Sequence, residues 1–392
     1  MPEGDSGGDM AKLRVGLLFG GRSVEHDISI VSARSILSAL DRSRYDVSLL
    51  AVDPDGRWHL ADADIALTAA TAEECVFLPA TPGQTTLVPE TSDATSAVGA
   101  LGETASLDVI FPIIHGRGGE DGALQGLLEL AEVPYVGSGV LSSAIQMDKD
   151  VAKRLLSGAG LPVTPWITFA GFELERMGLP AAAQRAEAEL GLPVYVKPAN
   201  SGSSIGISRA ESIAELVAGL ADAQRYDRKV IVEAAIDGRE IEVAVLGNDA
   251  PEASVPGEIR ATGSFYDFDA KYVDDATELI IPAELDDQQS DSIRATAIRA
   301  YQTLEAEGMA RVDFLMERST GQFFINELNS LPGFTDVSMY PKLWEATGLP
   351  YPALIDRLIE LALERHDRRS KLETRPPSSA VAEEPTEDEK LG

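Results

Sequence analysis

Leu13-Arg-Val-Gly-Leu-Leu-Phe-Gly20 runs into Gly21-Arg-Ser-Val-Glu25-His-Asp-Ile28, and Val47-Ser-Leu-Leu-Ala-Val52 follows before Asp53-Pro-Asp-Gly56. A compact apolar run ending in paired glycines reads as a buried strand feeding a turn. Ile28, Val31, Leu37 and Leu40 fall near helical spacing, and the Asp-Pro-Asp-Gly segment is a turn signal closing a second strand. Strand, helix, strand in that order predicts a parallel α/β sheet.

Outward from this unit, Val109–Ile114 resumes the sheet as a buried strand, and a helix near Leu124–Ala131 and a short strand near Tyr135 complete it. Residues 62–106 are rich in Ala, Thr, Pro and Gly and read as a poorly specified insertion. From Asp148 the pattern changes to hairpin-like strands (Val194–Lys197, Ile207–Ser208, Val230–Glu233, Ile241–Leu246) with helices near 149–158 and 211–221. The alternation in Glu240-Ile-Glu-Val-Ala-Val-Leu fits an antiparallel sheet with one buried face. Strands near 310–316 and 323–327 and helices near 287–306 and 351–365 form another α+β unit. The predicted class is therefore mixed α/β and α+β. Its expected parts are a disordered leader (1–11), an N-terminal α/β domain (12–140), a small lobe (141–236), a large C-terminal lobe (237–366) and a disordered acidic tail (367–392).

The bulk numbers narrow the function. At 392 residues the chain exceeds the roughly 250–300 that one core holds, and 44% apolar residues supply real cores. No apolar run reaches the roughly 18 residues a membrane span needs, and the acidic first residues lack a signal pattern, so a cytoplasmic protein with no membrane partner is expected. A net charge of −31 would repel nucleic acid. The single cysteine, Cys75, excludes an internal disulfide and any multi-cysteine metal site.

Five groups carry chemistry. Arg311 and Asp313 share one strand face, as do Glu327 and Asn329, and Gly321 between them predicts a hairpin presenting all four together. Two carboxylates and an amide oxygen suit Mg²⁺ bridging to phosphates, although a polar sheet edge would look the same. Lys197-Pro-Ala-Asn-Ser-Gly-Ser203-Ser204-Ile-Gly206 ends a strand in a small-residue loop whose N–H groups and hydroxyls can cover phosphates; an ordinary turn is the other reading. Glu233, followed by Ala-Ala235-Ile236, can take a ribose while its neighbours meet an adenine edge, or can be a solvated strand acid. Glu25 opens a helix, where it can meet an ammonium group or simply complement the helix dipole. His115 follows a buried strand and precedes four glycines in seven residues, a loop of the kind that binds ligands in α/β domains, although a lone histidine is more often structural.

Together these segments resemble the D-alanine–D-alanine ligases of the ATP-grasp superfamily, from about Lys12 to Leu363. The resemblance rests on Leu-Phe-Gly-Gly-Arg-Ser-Val-Glu25-His-Asp-Ile-Ser, His115-Gly-Arg-Gly-Gly-Glu-Asp-Gly-Ala-Leu-Gln-Gly, Pro-Tyr-Val-Gly-Ser-Gly-Val and Met-Asp-Lys149. Lys197-Pro through Gly206, Tyr266-Asp-Phe-Asp-Ala-Lys271-Tyr272, Arg311-Val-Asp313 and Asn326-Glu327-Leu-Asn329-Ser-Leu-Pro-Gly-Phe-Thr complete it.

The resemblance implies three domains, with ATP clasped between the last two, and two D-alanines joined through an acylphosphate. Asp313, Glu327 and Asn329 would hold two Mg²⁺ (or Mn²⁺), with a monovalent cation as a further candidate. Lys149, Lys197, Ser203 and Ser204 would bind phosphates. Glu233 would hold the ribose with Glu240 alongside, and Ala235, Ile236 and Phe265 would line the adenine. Glu25, with His115 nearby, would pair with the first D-alanine's ammonium. Arg311 and the Gly333 N–H would stabilise the oxyanion, and Ser338 and the Met339 backbone would bind the second carboxylate. Lys271 and Tyr272 would sit on a loop closing over the site and excluding water, with Tyr272, Ser203 and Glu25 in a hydrogen-bonded chain. Tyr272 also favours an amine over a hydroxy-acid nucleophile, while D-serine, one hydroxyl larger, is rejected only weakly. A homodimer is expected by the same resemblance.

Two rivals stand beside this reading. Another ATP-grasp ligase would not need Glu25, Tyr272 and Ser338, which match the amino-acid half of the site. A non-catalytic or nicotinamide-binding α/β protein would not need Asp313, Glu327 and Asn329 on facing strands, and Gly16-Leu-Leu-Phe-Gly-Gly departs from the dinucleotide pattern.

Overall fold

The computed structural model describes residues 11–61, 75–90, 105–202, 205–261, 277–335 and 337–373. The opening unit is as the sequence predicts. Strand β1 (Leu13–Gly20) leads into helix α1 (His26–Ala39), then β2 (Tyr45–Val52), which pairs parallel with β1 from Leu13 opposite Tyr45 to Gly20 opposite Val52. After the Asp53 turn the chain doubles back as β3 (Trp58–Ala61), antiparallel to β2. Within the expected insertion two short strands are formed, which corrects the reading of that stretch as poorly specified. Strands β4 (Cys75–Phe77) and β5 (Val88–Pro89) extend the sheet edge, and β6 (Val109–Pro112) lies parallel to β1 on its other side. The sheet order is β5-β4-β3-β2-β1-β6. The strand expected near Tyr135 is a single parallel bridge to Ile110, reached after helix α2 (Ala123–Leu130).

Helices α3 (Val140–Met147) and α4 (Lys149–Gly158) follow, with Asp148 accepting the Val151 N–H as the α4 N-cap. Strand β7 (Trp166–Ala170), helices α5 (Gly171–Met177) and α6 (Leu179–Leu190), β8 (Val194–Pro198), β9 (Ser208–Ala210), α7 (Ile213–Ala223) and β10 (Lys229–Ala234) make a second unit. Its antiparallel sheet runs β7-β10-β8-β9, with Phe169, Val196, Val230 and Leu216 in one core. The third sheet holds β11 (Gly238–Gly247), β12 (Glu252–Ala253), β13 (Gly257–Ala261), β14 (Thr277–Ile280), β15 (Gly308–Glu317) and β16 (Phe323–Asn329), with α8 (Asp287–Thr303) packed on it. Ala152 and Leu156 of α4 lie in this third core, beside Ile241 and Val312.

Helices α9 (Met339–Thr347) and α10 (Tyr351–Ser370) return the chain to the first domain, where Leu354, Ile355 and Leu358 pack with Val15 and Ile36. Arg365 of α10, 4% exposed, is the fastener. Its guanidinium donates to the Gly137 carbonyl and to the Tyr135 carbonyl (2.9 Å), and lies 4.2 Å from the Tyr135 ring centre. Truncating Arg365→Ala strands two buried carbonyls at the joint between first and third units. A loss of about 2–4 kcal/mol is expected in urea unfolding. A shift below about 0.5 kcal/mol would show that the joint does not depend on it.

Candidate active site

Three units meet over one cleft. Its lining includes Glu25, His115 and Glu120 from the first unit, Gly202 from the second, and Arg311, Asn329, Gly333 and Ser338 from the last.

Pairing of β15 with β16 sets the cleft floor. Asp313 stands opposite Glu327 and Arg311 opposite Asn329, with a register shift just beyond Asp313. All four predicted groups therefore share one face. Arg311 donates to both Asp313 oxygens (2.7 and 2.8 Å), and Asn329 Nδ2 donates to Asp313 Oδ2 at 2.8 Å. Arg311 also meets Glu242, which stands opposite Asp313 on β11, at 3.1 Å. Glu242 was legible as the next acid on the polar face of Glu240-Ile-Glu-Val, but nothing in its spacing names Arg311 as its partner.

Helix α4 and strand β8 bring the lysines. Lys149 Nζ reaches Glu327 at 2.9 Å and donates to the Ser201 carbonyl at 2.7 Å, tying the small-residue loop to the hairpin. Lys197 meets Glu233 at 2.7 Å, and Lys153, one helical turn beyond Lys149, meets the other Glu233 oxygen at 3.1 Å. Burial alone would push the Glu233 carboxyl up; attraction to Lys153 and Lys197 overcomes it and holds the group at about 2. Glu240 is half-buried on β11, opposite Ile259 and Leu315.

Glu25 is buried at the head of α1, and its Oε2 lies where a Cβ on Gly116 would come within 3.0 Å and one on Gly202 within 3.6 Å. Gly116 has φ +74°, so a side chain there would be both strained and crowded against that carboxylate. His115 is buried; its Nδ1 donates to the Leu331 carbonyl (3.1 Å), so Nε2 accepts from Ser32 (3.4 Å). Burial, with the nearby Arg311 charge, pulls the imidazole down to about 4, so it is neutral at pH 7.

Glu120 is the residue sequence reasoning passed over, although it stood inside the His115 run. It accepts the Gly116 N–H (2.6 Å) and the Leu331 N–H (3.1 Å), bridging first and last units. Burial and the adjacent Glu25 carboxylate push it up to about 7. A carboxyl raised on folding contributes stability that is complete below its unfolded value near 4.5 and lost as pH rises through about 7. Between pH 5 and 8 the chain should thus lose up to about 3 kcal/mol that Glu120→Gln does not lose. Equal pH slopes for the two proteins in urea unfolding would refute the assignment.

The last element closes the cleft. Ser338 stands at the start of α9 without capping it, because its Oγ turns back to accept the Thr335 N–H at 2.9 Å. A Cβ on Gly333 would lie 2.7 Å from that Oγ, so a side chain there would have to displace the Ser338 hydroxyl. Met339, the first residue of α9, is buried. Ser203, Ser204, Phe265, Lys271 and Tyr272 lie outside the described residues.

A hard divalent cation fits the hairpin. Two cross-strand carboxylates and one amide oxygen give an oxygen donor set on one face, and Arg311 and Lys149 sit on the carboxylates as counter-charges. Among the described residues no three His, Cys, Asp or Glu side chains converge on one metal position. Such a half-cage suits Mg²⁺, which takes one or two carboxylates and fills its octahedron with water and substrate phosphates.

A parallel α/β unit followed by two sheets that face each other across lysines and a carboxylate hairpin defines an ATP-grasp type of enzyme. Two family models match, the D-ala D-ala ligase N-terminus over residues 14–138 and the D-ala D-ala ligase C-terminus over 155–360. The chain is 50% identical over 369 residues to a D-alanine–D-alanine ligase of Shouchella clausii, covering 93% of this chain and 98% of that one. It is 49% identical to D-alanine–D-alanine ligase A of Escherichia coli K12, covering 93% and 100%. Among solved structures, the D-alanine–D-alanine ligase of Coxiella burnetii superposes with TM-score 0.78 at 37% identity (92% and 96% covered). A D-Ala:D-Ser ligase of Enterococcus faecalis gives 0.78 at 32% (90% and 100%). The chain belongs to the D-alanine–D-alanine ligase family.

Proposed function

We propose that the chain joins two D-alanines into D-alanyl-D-alanine at the expense of ATP, for cell-wall precursor synthesis. The observation that carries this reading is one cleft shared by an amino-acid end (Glu25, Gly333, Ser338) and the phosphate-side hairpin (Arg311, Asn329). In the proposed sequence the carboxylate of the first D-alanine attacks the ATP γ-phosphorus and ADP leaves. The amine of the second then attacks the acyl carbon and phosphate leaves.

Each residue has a part. Glu25 pairs with the first ammonium, and neutral His115 packs beside it without repelling that charge. Lys149 and Lys197, with Ser203 and Ser204, bind phosphates and offset an acidic protein. Because both oxygens of Glu233 meet lysines, we give the ribose to Glu240 and leave Glu233 beneath the nucleotide. Backbone groups of Ala235 and Ile236, with Phe265, meet the adenine. Asp313, Glu327 and Asn329 would hold two Mg²⁺, whose contribution is to neutralise charge on the transferring phosphoryl group. Arg311 and the Gly333 N–H face the oxyanion, and Ser338 and Met339 the second carboxylate. By the family resemblance, Lys271 and Tyr272 would close over the site, and Tyr272 and Ser203 would join Glu25 in a polar chain. Among the described residues no helix is long and apolar enough to cross a membrane. A cytoplasmic homodimer is part of the proposal, and sedimentation would test its size.

The decisive assay is phosphate release from ATP and Mg²⁺ with D-alanine, L-alanine, D-serine, D-lactate or none, with chromatography of the product. Release that needs D-alanine, with one dipeptide per phosphate, is expected. Preferred use of D-serine or D-lactate would move the second-site assignment, and ATP turnover indifferent to D-alanine would overturn the reading.

A further inference from the structure

We propose that Lys153 is a positioning residue that keeps the phosphate-facing lysine electrically positive, by sharing the buried carboxylate of Glu233. This rests on the reading of Lys197 as a phosphate ligand and goes beyond it.

The argument is one of charge at close range. Lys153 is 1% exposed and Glu233 2% exposed, both deep under the second sheet. Glu233 takes Lys197 on one oxygen at 2.7 Å and Lys153 on the other at 3.1 Å, and Lys153 also donates to the Thr164 hydroxyl at 3.1 Å. Burial disfavours the charge on each lysine, and the carboxylates of Glu233 and, at longer range, Glu327 oppose that cost. A carboxylate given to Lys197 alone would solve that problem and create another, since the pair would be neutral towards a phosphate. With Lys153 added, two ammonium groups share one carboxylate, and one positive charge remains for the ligand. Lys149 and Glu327 pair with each other, and with them counted three ammonium groups face two carboxylates, so one positive charge still remains. Consistent with this division, burial lowers Lys197 but Glu233, together with Glu327, more than restores it, so its proton is held more tightly than usual. The cost of the second buried cation falls on Lys153, whose value is lowered by burial with Glu233 opposing. Thr164 supplies it a further polar contact without adding charge.

The test uses calorimetric binding of ADP with Mg²⁺ to the full chain, without D-alanine. Lys153→Met should weaken ADP about tenfold, the effect of one unit charge at this range with partial screening. The KM for D-alanine should stay the same, and Lys153→Arg should retain most of the affinity. The double variant Lys153→Met with Glu233→Gln restores the net positive charge and should bind ADP within about threefold of the parent. A packing role cannot be rescued in that way, so a double variant no better than Lys153→Met overturns the inference. If Lys153→Met does not fold, Glu233→Gln alone decides, because it leaves two ammonium groups and should bind ADP at least as tightly as the parent. Tenfold weaker binding there also overturns it. Lys197→Met separates the two levels. If it loses ADP while Lys153→Met does not, the phosphate reading stands and this inference falls; if the parent itself binds no ADP, the reading beneath it falls.

Discussion

Glu327→Gln is expected to lower D-alanine-dependent phosphate release by about 10²–10⁴, the loss of several kcal/mol of phosphoryl-transfer stabilisation. The side chain keeps its shape and its place opposite Asp313, so the hairpin register has no reason to change. What changes is the donor. A neutral amide offers a hard cation one weak oxygen where a carboxylate offered two charged ones. The same substitution takes away the carboxylate that Lys149 meets at 2.9 Å, so that lysine loses its tie to the floor. Both effects act on the phosphate side and neither touches Glu25 or Ser338. The Mg²⁺ concentration giving half-maximal release should therefore rise, with the KM for D-alanine little altered. Parental turnover at low Mg²⁺ would remove Glu327 from the cation site.

Much of this arrangement was legible because its periods are simple. A strand alternates with period two, so Arg311-Val-Asp313 and Glu327-Leu-Asn329 each declare a shared face, and Gly321 makes the strands neighbours. The paired register delivers that reading without adjustment. The opening strand, helix and strand were equally plain, since buried parallel strands are continuous apolar runs.

What was missed has a common physical cause. Strands β4 and β5 span three and two residues, too few for any period to show. Helix α9 carries Pro341 in its first turn, where the missing N–H has no intrahelical partner anyway, but in sequence that proline looks like a breaker. Glu120, Glu242 and Lys153 each owe their meaning to a partner far along the chain, Leu331, Arg311 and Glu233 respectively. No local window contains both members of such a pair. Glu233 shows the reverse difficulty: its place at a strand end was legible, but not the two lysines that occupy it.

The second large effect is expected at Arg311. Its guanidinium spans Glu242 at 3.1 Å and Asp313 at 2.7 Å on the cleft floor, so its plane is fixed before any substrate arrives. A donor held in this way costs little reorganisation when negative charge builds on the acyl oxygen, and removing one such donor typically costs about 10²–10³ in rate. Arg311→Lys preserves the charge but loses the planar fork that grips two carboxylates at once. Dipeptide formation should therefore fall by about 10²–10³ in Arg311→Lys as well as in Arg311→Met. ATP binding should change less, because Lys149 and Lys197 are untouched. The informative readout is the ratio of phosphate to dipeptide. If Arg311 acts on the second step, the acylphosphate still forms but waits longer for the amine, and water competes for it. The ratio should then rise above the one-to-one value of the parent. A ratio that stays at one while both rates fall together would place Arg311 in the first step, as a support for Asp313 and the hairpin rather than for the oxyanion.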